Sequence, residues 1–212
     1  MKNKGYIFDL DGVIVDTARF HFLAWKRTAD ELEFVLTPEL NEKLKGVSRV
    51  DSLNKILDWA GKSVSEEEFD RLAVEKNEYY LSFVEQMTSA DILPGVYQYI
   101  KLLKEIGYPV ALGSASKNAP MILKKVGLYD MFDAIVDGNS VTKAKPDPEV
   151  FLIAAKKIGI EDTACVVFED SEAGIDAANA ANMTSVGLGD TGVLGNADYV
   201  FADFLEIKDN LF

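Results

Sequence analysis

Short apolar segments alternate with amphipathic ones along most of the chain. Residues 5–8 (GYIF) are apolar and end at acids, which predicts a buried strand with a polar C-terminal end. Four later segments repeat the design. Residues 109–113 (PVALG) run into SASKN, 133–137 (DAIVD) into GNSVTKAKPD, 164–168 (ACVVF) into EDSEAG, and 184–188 (TSVGL) into GDTG. Residues 199–201 (YVF) make a last short strand. Helical patterns lie between them. Residues 95–106 carry Val96, Ile100 and Leu103 at helical spacing, and 118–127 follow Ser116, a candidate cap, and end at Gly127. Residues 147–158 start after KPDP and stop before Gly159, and 171–181 start at Ser171, a candidate N-cap. Strands alternating with helices of this length predict an α/β fold, a doubly wound, Rossmann-like parallel sheet.

Residues 17–90 break this rhythm and read as all-helical. Phe22, Trp25, Ala29, Leu32 and Leu36 recur at spacings of three and four, and Phe69, Leu72, Ala73, Tyr80 and Phe83 form a second stripe. Lys76 falls on that second stripe, an odd place for a solvent-facing charge. The expected organisation is therefore a core of residues 1–16 and 91–212, with 17–90 inserted after the first strand as a helical cap that returns through LPG at 93–95.

The 212 residues are 48% hydrophobic and 27% charged, an ordinary globular composition that excludes a disordered or collagen-like chain. No apolar run is long enough to span a bilayer. The N-terminus, MKNKGYIFDLDG, meets aspartates too soon for a signal peptide, so the expected location is the cytoplasm. The net charge of −13 counts against nucleic acid as a partner but leaves room for a small phosphorylated substrate, which needs only a local cluster of cations or a metal. Cys165 is the only cysteine, so disulfides and cysteine zinc sites are excluded, and its apolar surroundings predict a buried, inert thiol.

Parallel strands with right-handed crossovers bring their C-terminal ends to one edge, where ligands bind. The residues just past the strands are Asp9 and Asp11; Ser114, Ala115 and Ser116; Lys145, somewhat later; and Glu169 and Asp170. Asp9 or Asp170 alone reads as one loop acid among 35 acidic residues. Assembled, these carboxylates repel one another unless protonated or bridged by a cation, and oxygen donors without His or Cys suit a hard ion such as Mg²⁺. Lys145 reads either as a loop lysine or as a partner for phosphate oxygens, and Ser114 leads into a helix N-terminus that can hold an anion. Arg49 and Lys76 read equally as solvated helix charges, and Trp25 as a core residue. Gly187, Gly189 and Gly192 spell G-x-G-x-x-G but lack the βαβ unit and later acid of a dinucleotide site. His21, the single histidine, is expected to hydrogen-bond near the hinge rather than hold a metal.

DLDGVIVDT at 9–17, GSAS at 113–116, KAKPDP at 143–148 and FEDSEAG at 168–174, in that order, resemble the haloacid dehalogenase superfamily of phosphotransferases. DTARFHFLAWK at 16–26, KGVSRVDSL at 45–53, EKN at 75–77 and ASKN at 115–118 resemble, within it, the helical-cap family of β-phosphoglucomutases. The resemblance implies that Asp9 is a nucleophile forming an aspartyl phosphate and Asp11 the general acid/base. It implies that Asp9, the backbone carbonyl of Asp11, Glu169 and Asp170 hold Mg²⁺, while Ser114 and Lys145 hold the transferring phosphate. Arg49, Ser116, Lys117 and Asn118 would hold a second phosphate, and Thr17, His21, Trp25, Gly46, Val47, Ser52 and Lys76 would shape a hexose pocket and hinge. The implied reaction converts β-glucose 1-phosphate to glucose 6-phosphate through β-glucose 1,6-bisphosphate in a monomeric enzyme.

Asp11 must shuttle a proton, although a free aspartate titrates near about 3.9. Desolvation under a closing cap is expected to raise its pKa. A sugar-phosphate phosphatase on the same scaffold is the nearest rival reading. A phosphoacceptor signalling module is a more distant one, since such modules lack a helical insertion after the first strand.

Overall fold

The computed structural model describes residues 3–207; the basic start at Met1 and Lys2 lies outside them. Six strands form one parallel sheet in the order β3-β2-β1-β4-β5-β6. They are β1 (Gly5–Phe8), β2 (Val110–Gly113), β3 (Ala134–Val136), β4 (Cys165–Glu169), β5 (Thr184–Leu188) and β6 (Tyr199–Phe201). Central strands buried on both faces read as unbroken apolar runs, which is why GYIF and CVVF carry no alternation. Period-two geometry still sorts their side chains. Tyr6, Phe8 and Phe168 join one apolar cluster, while Ile7, Val167 and Ala111 join the other.

The helices α5 (Val96–Ile106), α6 (Ala119–Val126), α7 (Glu149–Ile158) and α8 (Glu172–Ala180) cover the two faces. Ser171 caps α8, its hydroxyl accepting from Gly174 N. Ser116 does not cap α6: Asn118 occupies the cap position, and the Ser116 hydroxyl accepts from Asn118 N in the turn before it.

The insertion consists of α1 (Ala18–Glu31), α2 (Pro38–Glu42), α3 (Arg49–Ala60) and α4 (Glu66–Val84). Thr37, Ser48 and Ser65 cap the last three with their hydroxyls, and Gly61 ends α3 in the left-handed conformation. Trp25, Ala29, Leu53, Ile56 and Leu72 belong to an apolar cluster internal to the insertion. Phe20, Ala24, Tyr80 and Val84, from α1 and α4, instead join the cluster of the sheet. The two connections to the sheet run side by side, with Leu93 N donating to Ile14 O at 2.9 Å. Among the described residues no helix is long and apolar enough to cross a membrane.

Candidate active site

The register of the sheet builds the polar end of the site. Phe8 pairs with Leu112 on one side and Phe168 on the other, so Asp9, Ser114 and Glu169 leave adjacent strand ends together. Asp9 is buried; its Oδ2 accepts from Asp11 N at 3.0 Å and its Oδ1 from Lys145 Nζ at 2.6 Å. The same ammonium donates to Glu169 Oε1 at 2.5 Å. Glu169 Oε2 accepts from Asp170 N, Ser171 N and the Ser171 hydroxyl at 2.9–3.0 Å. Gly174 makes room for this carboxylate, since a Cβ there would stand 1.9 Å from Glu169 Cδ. The Ser114 hydroxyl accepts from Ser116 N at 3.1 Å.

Burial pushes the Asp9 carboxyl up to about 7, even though Lys145 pulls it down. Burial and the charge of Glu169 push Asp170 well above the carboxylate range. Burial alone would depress Lys145, but Asp9 and Glu169 hold its ammonium above the ordinary lysine range. Carboxylate oxygens of Asp9, Glu169 and Asp170 all lie within 4.8 Å of one another. Lys145 pairs with Asp9 and Glu169 but not with Asp170, so the three acids form an oxygen-only cluster with more negative charge than that lysine offsets, which fits a hard divalent cation.

Asp11 differs from expectation. Burial alone would raise its pKa, but His21, the Thr17 hydroxyl and the charge of Lys76 outweigh it and hold the carboxyl below its ordinary value. Thr17, fully buried, donates its hydroxyl to Asp11 Oδ1, and His21 Nε2 stands 3.7 Å from the same oxygen. Desolvation therefore does not act alone here, because the insertion brings donors to Asp11 along with its apolar surface.

Asp9, Asp11, Ser114 and Asp170 line a cavity of about 440 Å³ with His21, Trp25, Gly46, Val47, Arg49, Ser52 and Lys76 of the insertion and with Ser116, Lys117 and Asn118. Thr17, Lys145 and Glu169 are not part of this lining: Thr17 is bonded to Asp11, Lys145 to Asp9, and Glu169 to Lys145. Trp25 is both core and wall: it is buried in the apolar cluster of the insertion and lines the cavity. Lys76 is buried, with Nζ 3.0 Å from His21 Nδ1, and burial lowers its pKa to about 7. Gly46 has a φ of +69° and packs on the sheet side, where a Cβ would meet the Ser171 hydroxyl at 2.5 Å.

Three further residues belong to this arrangement. Lys45 Nζ lies 2.9 Å from Glu42 and 3.6 Å from Asp170, joining the insertion to the acidic cluster. Asn77 Oδ1 accepts from Asn118 Nδ2 at 3.0 Å, joining the insertion to the sheet side of the cavity lining. Tyr80 stacks on His21 with ring centroids 4.2 Å apart. Lys45 and Asn77 adjoin residues that the motifs mark, but Tyr80 reads in sequence as one more apolar stripe position.

Residues 3–182 match the family of haloacid dehalogenase-like hydrolases. The chain is 41% identical to the β-phosphoglucomutase of Bacillus subtilis over 93% of this chain and 88% of that one. It is 33% identical to the fructose-1-phosphate phosphatase YqaB of Escherichia coli over 86% of this chain and 94% of that one. Its structure superposes on that of a β-phosphoglucomutase from Clostridium difficile with a TM-score of 0.94 and 43% identity, covering 98% of this chain and 94% of the other. The matched residues 3–182 contain β1 to β4 and all of the insertion, and the chain belongs to the haloacid dehalogenase-like hydrolase family.

Proposed function

We propose that the chain interconverts β-D-glucose 1-phosphate and glucose 6-phosphate, the reaction of a β-phosphoglucomutase, through an aspartyl phosphate on Asp9 and β-glucose 1,6-bisphosphate. One observation carries this reading beyond family membership. Arg49, Lys76 and Lys117 all line the cavity that holds Asp9, and none has a carboxylate within ion-pair distance among the described residues. In a chain of net charge −13, unpaired cations opposite a phosphoryl-transfer centre suit a substrate with phosphate at both ends.

In this mechanism an Asp9 oxygen attacks the phosphorus of the bisphosphate and the bond to the sugar oxygen breaks. Asp11, protonated once it has left the Thr17 and His21 donors that depress its pKa here, gives its proton to that leaving oxygen. After the sugar phosphate reorients or exchanges, Asp11 takes the proton from the attacking hydroxyl as the phosphoryl group returns to sugar. Asp11 must first exchange the Thr17 hydroxyl for the sugar oxygen, so the hinge and the acid/base are coupled. Ser114 and Lys145 hold oxygens of the transferring phosphate, while Arg49, Ser116, Lys117 and Asn118 hold the other. Asp9, the Asp11 carbonyl, Glu169 and Asp170 would hold Mg²⁺, which would supply positive charge against the phosphoryl oxygens. Residues 17–90 act as a cap that excludes water, which would otherwise compete for the aspartyl phosphate. His21, Trp25, Gly46, Val47, Ser52 and Lys76 form the cap wall facing the sugar.

The reading assigns the enzyme to the cytoplasm, as a monomer acting on a free sugar phosphate, with neither nucleic acid nor membrane as partner. The test is incubation with Mg²⁺, β-glucose 1-phosphate and trace glucose 1,6-bisphosphate, following glucose 6-phosphate and free phosphate together. Glucose 6-phosphate without free phosphate is the expected result. Free phosphate as the main product would instead favour the phosphatase reading, which the similarity to YqaB keeps in view.

A further inference from the structure

Lys76 lies in α4, 4% exposed, with no carboxylate at ion-pair distance among the described residues. A buried ammonium ordinarily pairs with an acid. This one makes its hydrogen bond to His21 Nδ1 and otherwise lies over two aromatic faces, 4.5 Å from the Trp25 ring centroid and 4.9 Å from that of Tyr80. Ring faces attract a cation without cancelling its charge. Tyr80 is one helical turn beyond Lys76 and fully buried, and its ring also packs on the His21 imidazole, tilted 37°. Its hydroxyl has no hydrogen-bond partner among the described residues, so the ring makes the defining contacts.

We propose that Tyr80, together with Trp25, is a positioning residue. The two rings hold the Lys76 ammonium against His21 Nδ1 and thereby keep the His21 proton on Nε2, the nitrogen facing Asp11. An ammonium has no lone pair, so Nδ1 must accept and Nε2 must carry the hydrogen. Nε2 has no hydrogen-bond partner in this structure and stands 3.7 Å from Asp11 Oδ1. The aromatic box leaves a positive charge on the cavity wall where a carboxylate would have neutralised it. Its functional consequence rests on the sugar-phosphate reading above; its geometry does not.

The chain has one histidine, so ¹⁵N-histidine labelling of the full-length protein gives a single imidazole spin system. At roughly pH 6.5 the Lys76 ammonium is still largely protonated, while burial and its charge hold the His21 imidazole below the ordinary histidine value, so the ligand-free wild type is expected to show the Nε2–H tautomer alone. Tyr80→Phe keeps it, whereas Tyr80→Leu and Lys76→Met each give averaged tautomers. In turnover of β-glucose 1-phosphate, Tyr80→Leu loses about tenfold in kcat/KM and Tyr80→Phe less than about twofold. The double variant Tyr80→Leu/Lys76→Met is no slower than Lys76→Met. Should Tyr80→Leu fail to fold, Trp25→Leu replaces it as the missing wall, with the same expectations. An unchanged tautomer in the leucine variant, loss of it in Tyr80→Phe, or additive losses in the double variant would overturn the proposal. A wild type with the single tautomer but no sugar-phosphate turnover upholds the box and counts against the functional reading alone.

Discussion

Asp9 Oδ1 accepts a hydrogen bond from Lys145 Nζ at 2.6 Å, although the two residues are 136 positions apart in the chain. The same ammonium reaches Glu169, so one lysine ties the proposed nucleophile to the strand end that carries the acidic cluster. Lys145→Met leaves two buried carboxylates without their counter-charge. Removing one partner of a buried pair typically costs about 3–5 kcal/mol. Urea unfolding at neutral pH without added metal should show a loss of that order, and phosphoryl transfer to Asp9 should fall with it.

Asp170 bears on the metal question without any activity assay. Asp170→Asn removes one of three mutually repelling acids, so the variant should be more stable than wild type in the presence of a chelator. In wild type, Mg²⁺ at 100 times its Kd should add about 2.7 kcal/mol of stability. The variant should lose most of that gain, so the order of the two melting curves reverses when Mg²⁺ is added. Parallel shifts in both proteins would remove Asp170 from the ligand set.

Lys76 gives the stability curve a pH-dependent slope. Burial lowers its folded pKa to about 7 from an ordinary value of 10.5. Between those limits the unfolded chain binds more protons at Lys76 than the folded one, so this residue makes stability rise with pH across that window. Below pH 7 the cost of burying the charge is fully present. Unfolding free energies of wild type minus Lys76→Met, measured across the same window, should therefore increase with pH. A flat difference would mean that Lys76 is not desolvated as described.

Gly46 connects the insertion to Ser171, the residue that donates two hydrogen bonds to Glu169. Gly46→Ala puts a Cβ on a backbone with φ of +69° and against the Ser171 hydroxyl. The conformational strain is worth about 1–2 kcal/mol. Activity should drop much further than melting temperature, because the contact joins the insertion to the acidic cluster. Comparable losses in both would make Gly46 a residue of local folding only.

The sheet and its polar edge are legible in the chain because each central strand is an apolar run that stops at a functional group. Topology then brings Asp9, Ser114, Lys145 and Glu169 together with little further information. The charge state of Asp11 is not legible in the same way. It depends on Thr17, His21 and Lys76, which meet it only when the insertion folds back over the sheet, so burial alone gives the wrong sign. Tyr80 is hidden for a related reason. Its stripe position predicts burial, which the structure bears out, but the imidazole of His21, which gives the ring a role, lies on another helix. The one hint is Lys76, a cation on the same apolar stripe. Ser116 shows a smaller limit: the residue type of a cap is present, but the chain takes one more turn before α6 begins.

The most direct test of the account is the fate of a labelled phosphoryl group. The protein would be loaded with ³²P from glucose 1,6-bisphosphate and chased with β-glucose 1-phosphate in the presence of Mg²⁺. The account expects label on Asp9, none on an Asp9→Asn variant, and a chase that returns the label mainly to sugar bisphosphate. Label released mainly as inorganic phosphate, or retained by Asp9→Asn, would contradict it.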